Sequence, residues 1–320
     1  MTRVVVALLV LLTGAAPPAQ SPGSRLLVLN KTDATLSIID PLSGTTTAVV
    51  PTGPDPHEVT TSADGRLAIA TSYSGNALSV VDIAARRETQ RVALPDLRQP
   101  HGIETVGGIA VFTAEGNRAL AGYDPAANRI AWRMATEQDG THMVTASRDG
   151  RTLFLSNLGS NTITILERDG EGWRRTHIPV GSGPEGLDLS PDGRELWTAH
   201  SGDGDVSVID VGAKKVVHRI NAKTKRSNRL KFTRDGRYAL ISDLDAGELV
   251  VVDAKTRAIA RRLRLGSMPE GILIPPAGDR VYVAVTGENR VVAIDVNTLT
   301  IVQTIQTGRG PDGMAWAAAR

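Results

Sequence analysis

A strand-like run ending in an acidic residue recurs seven times along the chain, at Asp40, Asp82, Asp124, Glu167, Asp210, Asp253 and Asp295, so that successive markers lie 42 or 43 residues apart. The runs themselves are "LSIID", "LSVVD", "LAGYD", "ITILE", "VSVID", "LVVVD" and "VVAID". A fixed period of this length means that one supersecondary unit is repeated, and each copy must bury its apolar faces against its neighbours. Ahead of four markers stands a turn signal: "SADGR" (62–66), "SRDGR" (147–151), "SPDGR" (190–194) and "TRDGR" (233–237). Asp-Gly between apolar runs marks a hairpin, because glycine supplies the positive φ that a tight turn requires.

One unit reads cleanly from Pro184. "PEGLDLS" is a strand, "PDGR" a turn, "ELWTAH" a strand, "SGDGD" a loop, "VSVID" a strand and "KKVVHRI" a fourth strand. Four short strands per period of 40–45 residues is the pattern of a propeller blade. The start of the first strand can be followed around the chain as Pro56, Pro100, Thr141, Pro184, Ser227, Pro269 and Pro311. The chain opens with "SRLLVLN", a second strand lacking a first, and closes with "PDGMAW", a first strand lacking a second. Joining the two completes a seventh blade and leaves no free sheet edge. The expected fold is therefore all-β: a single seven-bladed propeller of four-stranded blades over residues 21–320, its ring closed by pairing the terminal strands.

Residues 1–20 read differently. "MTRVVVALLVLLTGAAPPAQ" carries one early positive charge at Arg3, a short apolar run and then small residues. That is the pattern of a Sec-type signal peptide, too short to remain as a membrane anchor. With no cysteine in the chain there is no lipobox. A periplasmic or secreted protein is expected, with no membrane span after signal removal. An exported domain without disulfides rests on its core alone, and a chain of this size can bury roughly 75% of its unfolded surface. The net charge of +2 implies no polyanionic partner.

These features resemble the YVTN-repeat propellers, among them the YncE-like exported proteins of bacteria. The resemblance covers Ser24 to Arg320 and is carried by "GPEGLDLSPDGRELWTAHSGDGDVSVID", "LFLSNLGSNTITIL" and "GRGPDGMAW". The naming tetrapeptide is degenerate here, as "LVLN", "FLSN" and "YVAV". It implies fold and export. Members of the family act as binding proteins, surface antigens, nucleic-acid binders or lactonase-like enzymes, so function has to be argued from the site.

In a propeller the first strand of each blade lines the central channel. The residues just after its start are His57, His101, His142, Glu185, Asn228, Glu270 and Asp312, all polar. The histidines fall in three consecutive blades. Three imidazoles with carboxylates form a donor set suited to Zn, Cu or Fe, so His57, His101, His142, Glu185 and Glu270 are candidate metal ligands. Counting ten residues back from the acidic markers adds a second polar tier that includes His200 and Asp243, with Tyr73 and Glu115 in the adjoining loops. Together with Asn228 and Asp312 these form a candidate ligand-binding mouth. In blade five Arg229 stands where four other blades have Gly, and its guanidinium suits a small anion or an internal salt bridge.

Bland readings stand beside these. The residue after proline can cap the strand or hold channel water, and "P-x-G" is partly a device for starting the strand. Residues 214–237 hold ten Lys/Arg against Asp235 alone. Few aromatics interleave them, and charged outer strands ordinarily prevent edge pairing, so nucleic acid is not the expected partner. No "GxSxG", "HExxH", phosphate loop or EF-hand is present. Three readings result: an exported propeller binding a small ligand or metal ion at the mouth, a metal-dependent lyase, hydrolase or oxygenase acting there on a small anion, and a scaffold for a protein partner.

Overall fold

The computed structural model describes residues 23–319. The segment 1–20, read above as a signal peptide, lies outside them. Among the described residues there are 28 strands, two single-turn 3₁₀ helices and no α-helix, and no helix is long and apolar enough to cross a membrane.

The strands form seven four-stranded antiparallel sheets, six of them in chain order from channel to rim. We number the blades from the first complete one: blades 1 to 6 have inner strands Pro56–Thr61, Pro100–Val106, Thr141–Ala146, Pro184–Leu189, Ser227–Phe232 and Pro269–Leu273. Blade 7 takes its inner strand Pro311–Ala317 from the C-terminus and its three outer strands, Arg25–Asn30, Thr35–Asp40 and Thr45–Pro51, from the N-terminal side. Leu26 pairs with Trp316 and Leu27 with Ala315, so the ring closes between the chain's two ends as expected. All seven inner strands begin at the residues the sequence pattern marks.

The markers have a structural cause. In blade 1 the Asp82 carboxylate accepts the backbone N–H of Ala85, and Asp40, Asp124, Asp210, Asp253 and Asp295 do the same beyond their own strands. Each is an Asx turn that carries strand three into strand four. The first hairpin repeats the device: Asp64, Asp149, Asp192 and Asp235 accept the N–H of the Arg two residues on. These side-chain caps mark the turns of most blades.

The core is seven clusters, one in each interface between blades. On the strand Arg25–Asn30, Leu26 and Val28 face blade 6 while Leu27 and Leu29 face blade 1. Strands sandwiched on both sides read as near-continuous apolar runs, which is why alternation fails inside each blade. Outer strands such as Arg87–Ala93 and Ile259–Arg264 are mostly exposed and charged.

Candidate functional site at the channel mouth

Every inner strand carries the same irregularity. Pro56 pairs with Ser72 and Val59 with Ala70, so His57 and Glu58 together oppose Thr71. The same two-against-one bulge recurs in each blade, down to Asp312 and Gly313 opposite Leu29. A bulge turns a side chain away from the regular pleat. Here it presents two consecutive residues per blade at the top of the channel. Glycine at the second position allows the next blade close: a Cβ on Gly102 would lie 2.7 Å from the His142 carbonyl oxygen.

Hydroxyls on the second strands hold the bulges in register. The Thr71 hydroxyl donates to the His101 carbonyl (2.8 Å) and accepts the Glu58 N–H. Thr113 donates to the His142 carbonyl (2.7 Å) and accepts the Gly102 N–H. Ser156 donates to the Glu185 carbonyl (2.9 Å) and accepts the Met143 N–H. Three successive mouth residues are thus fixed by the blade before them.

The three histidines meet. The rings of His101 and His142 are stacked with centroids 3.9 Å apart, and His57 lies 4.8 Å from His101. His142 Nδ1 is hydrogen-bonded to Glu115, whose other oxygen accepts from the Tyr73 hydroxyl at 2.8 Å. One donor atom from each of His101, His142 and Glu115 lies within 4.8 Å of the others. His101 Nδ1 and His142 Nε2 are buried without a hydrogen-bond partner among the described residues. Glu185 stands 4.0 Å from His142 Nε2 and accepts from Asn228 at 2.7 Å.

The other half of the mouth is ionic. Arg229, 4% exposed, donates from Nε to Glu58 at 3.0 Å, pairs with it again through Nη2, and lies 3.8 Å from Asp312. This pair joins blades 5 and 1 across the channel. Lys31 pairs with Glu270, and with Asp312 at 3.2 Å. His57 Nδ1 completes the circuit at 3.6 Å from Asp312.

Burial governs the protonation of these groups. It depresses His57, against the pull of Asp312, and takes His101 well below the usual histidine range, helped by the neighbouring imidazole of His142. Burial and the adjacent Asp312 push Glu270 up to about 7, although Lys31 opposes them. Asp312 itself stays low: burial raises it, but Lys31 and Arg229 outweigh that. Against burial, the bond from His142 keeps Glu115 below the usual carboxylate range.

The structure therefore brings His57, His101, His142, Glu185, Glu270, Asn228, Arg229, Asp312, Tyr73 and Glu115 into one contiguous network. It places His200 and Asp243 elsewhere. His200 is held by Asp203 at 2.9 Å, and Asp243 accepts the backbone N–H groups of Lys225 and Arg226. Both serve the loops of their own blades, because the residue ending strand two points into the hairpin and its successor points into the mouth. Lys31, Tyr73 and Glu115 are those successors in blades 7, 1 and 2. Continuing that count would have found Lys31. Glu58 was equally findable, since it replaces the bulge glycine as Arg229 does.

Fold and site define a seven-bladed propeller with a histidine-bearing, carboxylate-rich channel mouth. The chain belongs to the lactonase seven-bladed β-propeller family, whose model matches residues 31–319. It is similar to Antigen Lp49 of Leptospira interrogans, 24% identical over 51% of this chain and 40% of that protein. It is also similar to the uncharacterized protein YncE of Salmonella typhimurium, 25% identical over 52% of this chain and 48% of that protein. A segment of 131 residues, 39% of this chain, is 32% identical to 26% of the dihydro-heme d1 dehydrogenase of Pseudomonas aeruginosa. The matches thus span half or less of these relatives' lengths. The structure of the dihydro-heme d1 dehydrogenase NirN in complex with DHE superposes with a TM-score of 0.65 at 18% identity, over 95% of this chain and 78% of that one.

Proposed function

We propose that this protein is exported through its N-terminal segment and binds a transition-metal ion of the Zn, Cu or Fe type at the channel mouth. The ligands are His101, His142 and Glu115, with His57 as the adjacent donor. The observation that carries this reading is the cluster of three donor atoms within 4.8 Å. Ligands about 2.0–2.1 Å from a tetrahedral ion stand roughly 3.3 Å apart, so side-chain movements of about an ångström would close the site. His101 and His142 each keep one ring nitrogen without a protein partner, so neither imidazole is fully committed to the fold.

Charge favours a cation here. Among the described residues, five carboxylates (Glu58, Glu115, Glu185, Glu270 and Asp312) meet three full cations, Lys31, Arg229 and Lys231, the last of which is shared with Asp188 and Glu104. Arg229 is committed to Glu58 and Asp312, which leaves little for an anionic substrate. Tyr73, bonded to Glu115, and Glu185, beside His142, orient the ligands as outer partners do in metal sites. A second reading, a metal held within a haem-type macrocycle, is favoured by the segment shared with the dihydro-heme d1 dehydrogenase.

The test is elemental analysis and absorbance of protein purified without an affinity tag, beside a His101→Ala/His142→Ala variant of unchanged circular dichroism. About one equivalent of metal in the first sample and none in the variant is expected. An intense Soret band would select the second reading. No metal in either sample after incubation with Zn, Cu and Fe salts would overturn the first reading, and no Soret shift on titration with haem would overturn the second, turning the search to metal-free ligands or a protein partner.

A further inference from the structure

Blade 2 breaks the repeat in two places, and both open the same space. Its first hairpin has only Gly107 and Gly108 between strands Pro100–Val106 and Ile109–Ala114, whereas blades 1, 3, 4 and 5 have five residues there, ending in Asp-Gly-Arg. The two glycines have φ of 57° and 85°, as a two-residue turn of the I′ kind demands. The second break is in strand three. "LAGYD" has Gly122 where five of the other blades have Ile or Val and blade 6 has Ala293. Gly122 pairs with Trp132 across the strands, and a Cβ on it would lie 2.5 Å from the indole. A core aliphatic has been given up to seat that ring.

The outcome is a cleft of about 640 Å³ between blades 2 and 3, within the usual size of small-molecule pockets. It lies where the first hairpins turn, at the opposite end of the channel from the histidines. Trp132 and Trp173, both half-buried, form its aromatic walls over a floor that includes Val111 and Leu153. Three guanidiniums surround it: Arg148, Arg151 and Arg168. Among the described residues none of them has an ion-pair partner, whereas half of the other described arginines do. Arg168 lies over the Trp173 ring at 5.0 Å, a cation–π contact that leaves its charge unneutralised. Asp149 is occupied in its own turn with Ser147 and the Arg151 N–H. At the inner end stands Glu104, and burial pushes its carboxyl up to about 7 against the pull of Lys231, which softens its repulsion of a negative ligand.

We propose that this cleft is a second binding site, for a planar aromatic anion whose rings lie between Trp132 and Trp173 and whose carboxylate or sulfonate meets Arg148, Arg151 and Arg168. Guanidinium planes both stack on aromatic rings and bond oxyanions bidentately, so one such ligand uses both features. The proposal does not rest on the reading of the channel mouth.

The probes are 8-anilinonaphthalene-1-sulfonate and its uncharged counterpart N-phenyl-1-naphthylamine, titrated by fluorescence and calorimetry. One sulfonate per chain is expected, bound at least tenfold more tightly than the neutral amine, with quenching of tryptophan emission. Arg148→Ala/Arg168→Ala should weaken sulfonate binding at least tenfold and leave the amine unchanged. Replacing Gly107–Gly108 by the five residues Ser-Arg-Asp-Gly-Arg should fill the cleft and abolish both. If that replacement does not fold, the arginine pair, which is exposed, decides alone. Equal binding of the two probes, or sulfonate binding unaffected by the arginine changes, would overturn the proposal.

Discussion

The pair that spans the channel offers the sharpest test of the architecture. Replacing Arg229 by methionine keeps much of its length and removes its charge. The Glu58 carboxylate then loses the donor that bonds it through Nε and Nη2, and Asp312 loses a cation at 3.8 Å while keeping Lys31 at 3.2 Å. Removing one partner of a buried ion pair costs about 3–5 kcal/mol, because the other charge stays desolvated. The Glu58 side chain is 12% exposed and retains some hydration, which places the expected loss near the lower end, about 3 kcal/mol. At about 2–4 °C per kcal/mol for a chain of this order, the midpoint should fall by roughly 6–12 °C. Urea denaturation at pH 7 and scanning calorimetry read both quantities. Adding Glu58→Gln should recover most of the loss, since the stranded charge disappears with it. The pH dependence has a definite sign. Asp312 is held below its ordinary value in the folded state, so its stabilisation is present at neutral pH and lost as pH falls through the acid range. The gap between wild type and Arg229→Met should therefore narrow towards pH 3–4. A midpoint shift under about 2 °C, or a double variant as unstable as the single one, would refute the argument.

Two further outcomes follow from the same geometry. Thr113→Val removes the hydroxyl that holds the His142 carbonyl and the Gly102 N–H, so a loss of about 1–3 kcal/mol is expected together with weaker metal retention. Thr113→Ser should restore both; equal stability of the valine and wild-type proteins on denaturation would contradict the hydroxyl's role. For Glu104, whose folded value is raised to about 7, the stabilising contribution is present at low pH and lost as pH rises through that value. Glu104→Gln should thus gain on wild type between pH 5 and pH 8 by about 1–3 kcal/mol, and a flat or opposite trend in urea midpoints would exclude that burial cost.

The blades were legible because each repeat carries its own punctuation. Asp82 caps its turn with atoms three residues away, and Asp64 does so with Arg66. The first device recurs in six blades, two or three residues beyond the acid, and the second in four. Even the ring closure could be read, since "SRLLVLN" and "PDGMAW" each lack the strand the other supplies. The proximity of His57, His101 and His142 followed from register alone: equivalent residues of consecutive blades are neighbours.

Side-chain partnerships were another matter. The count that located the second tier selected His200 and Asp243, residues that satisfy their own loops, and stopped one short of Lys31. It gave no sign that Glu115, rather than a third imidazole, would complete the tightest donor group with His101 and His142. Glu58 and Arg229 lie 171 residues apart and meet only because a bulge in each inner strand aims a second residue into the channel. Period and turn chemistry are local quantities, carried in the order of the residues. Which charges neutralise one another across a ring, and which nitrogens are left without a partner, depends on distances that exist only once seven blades have closed.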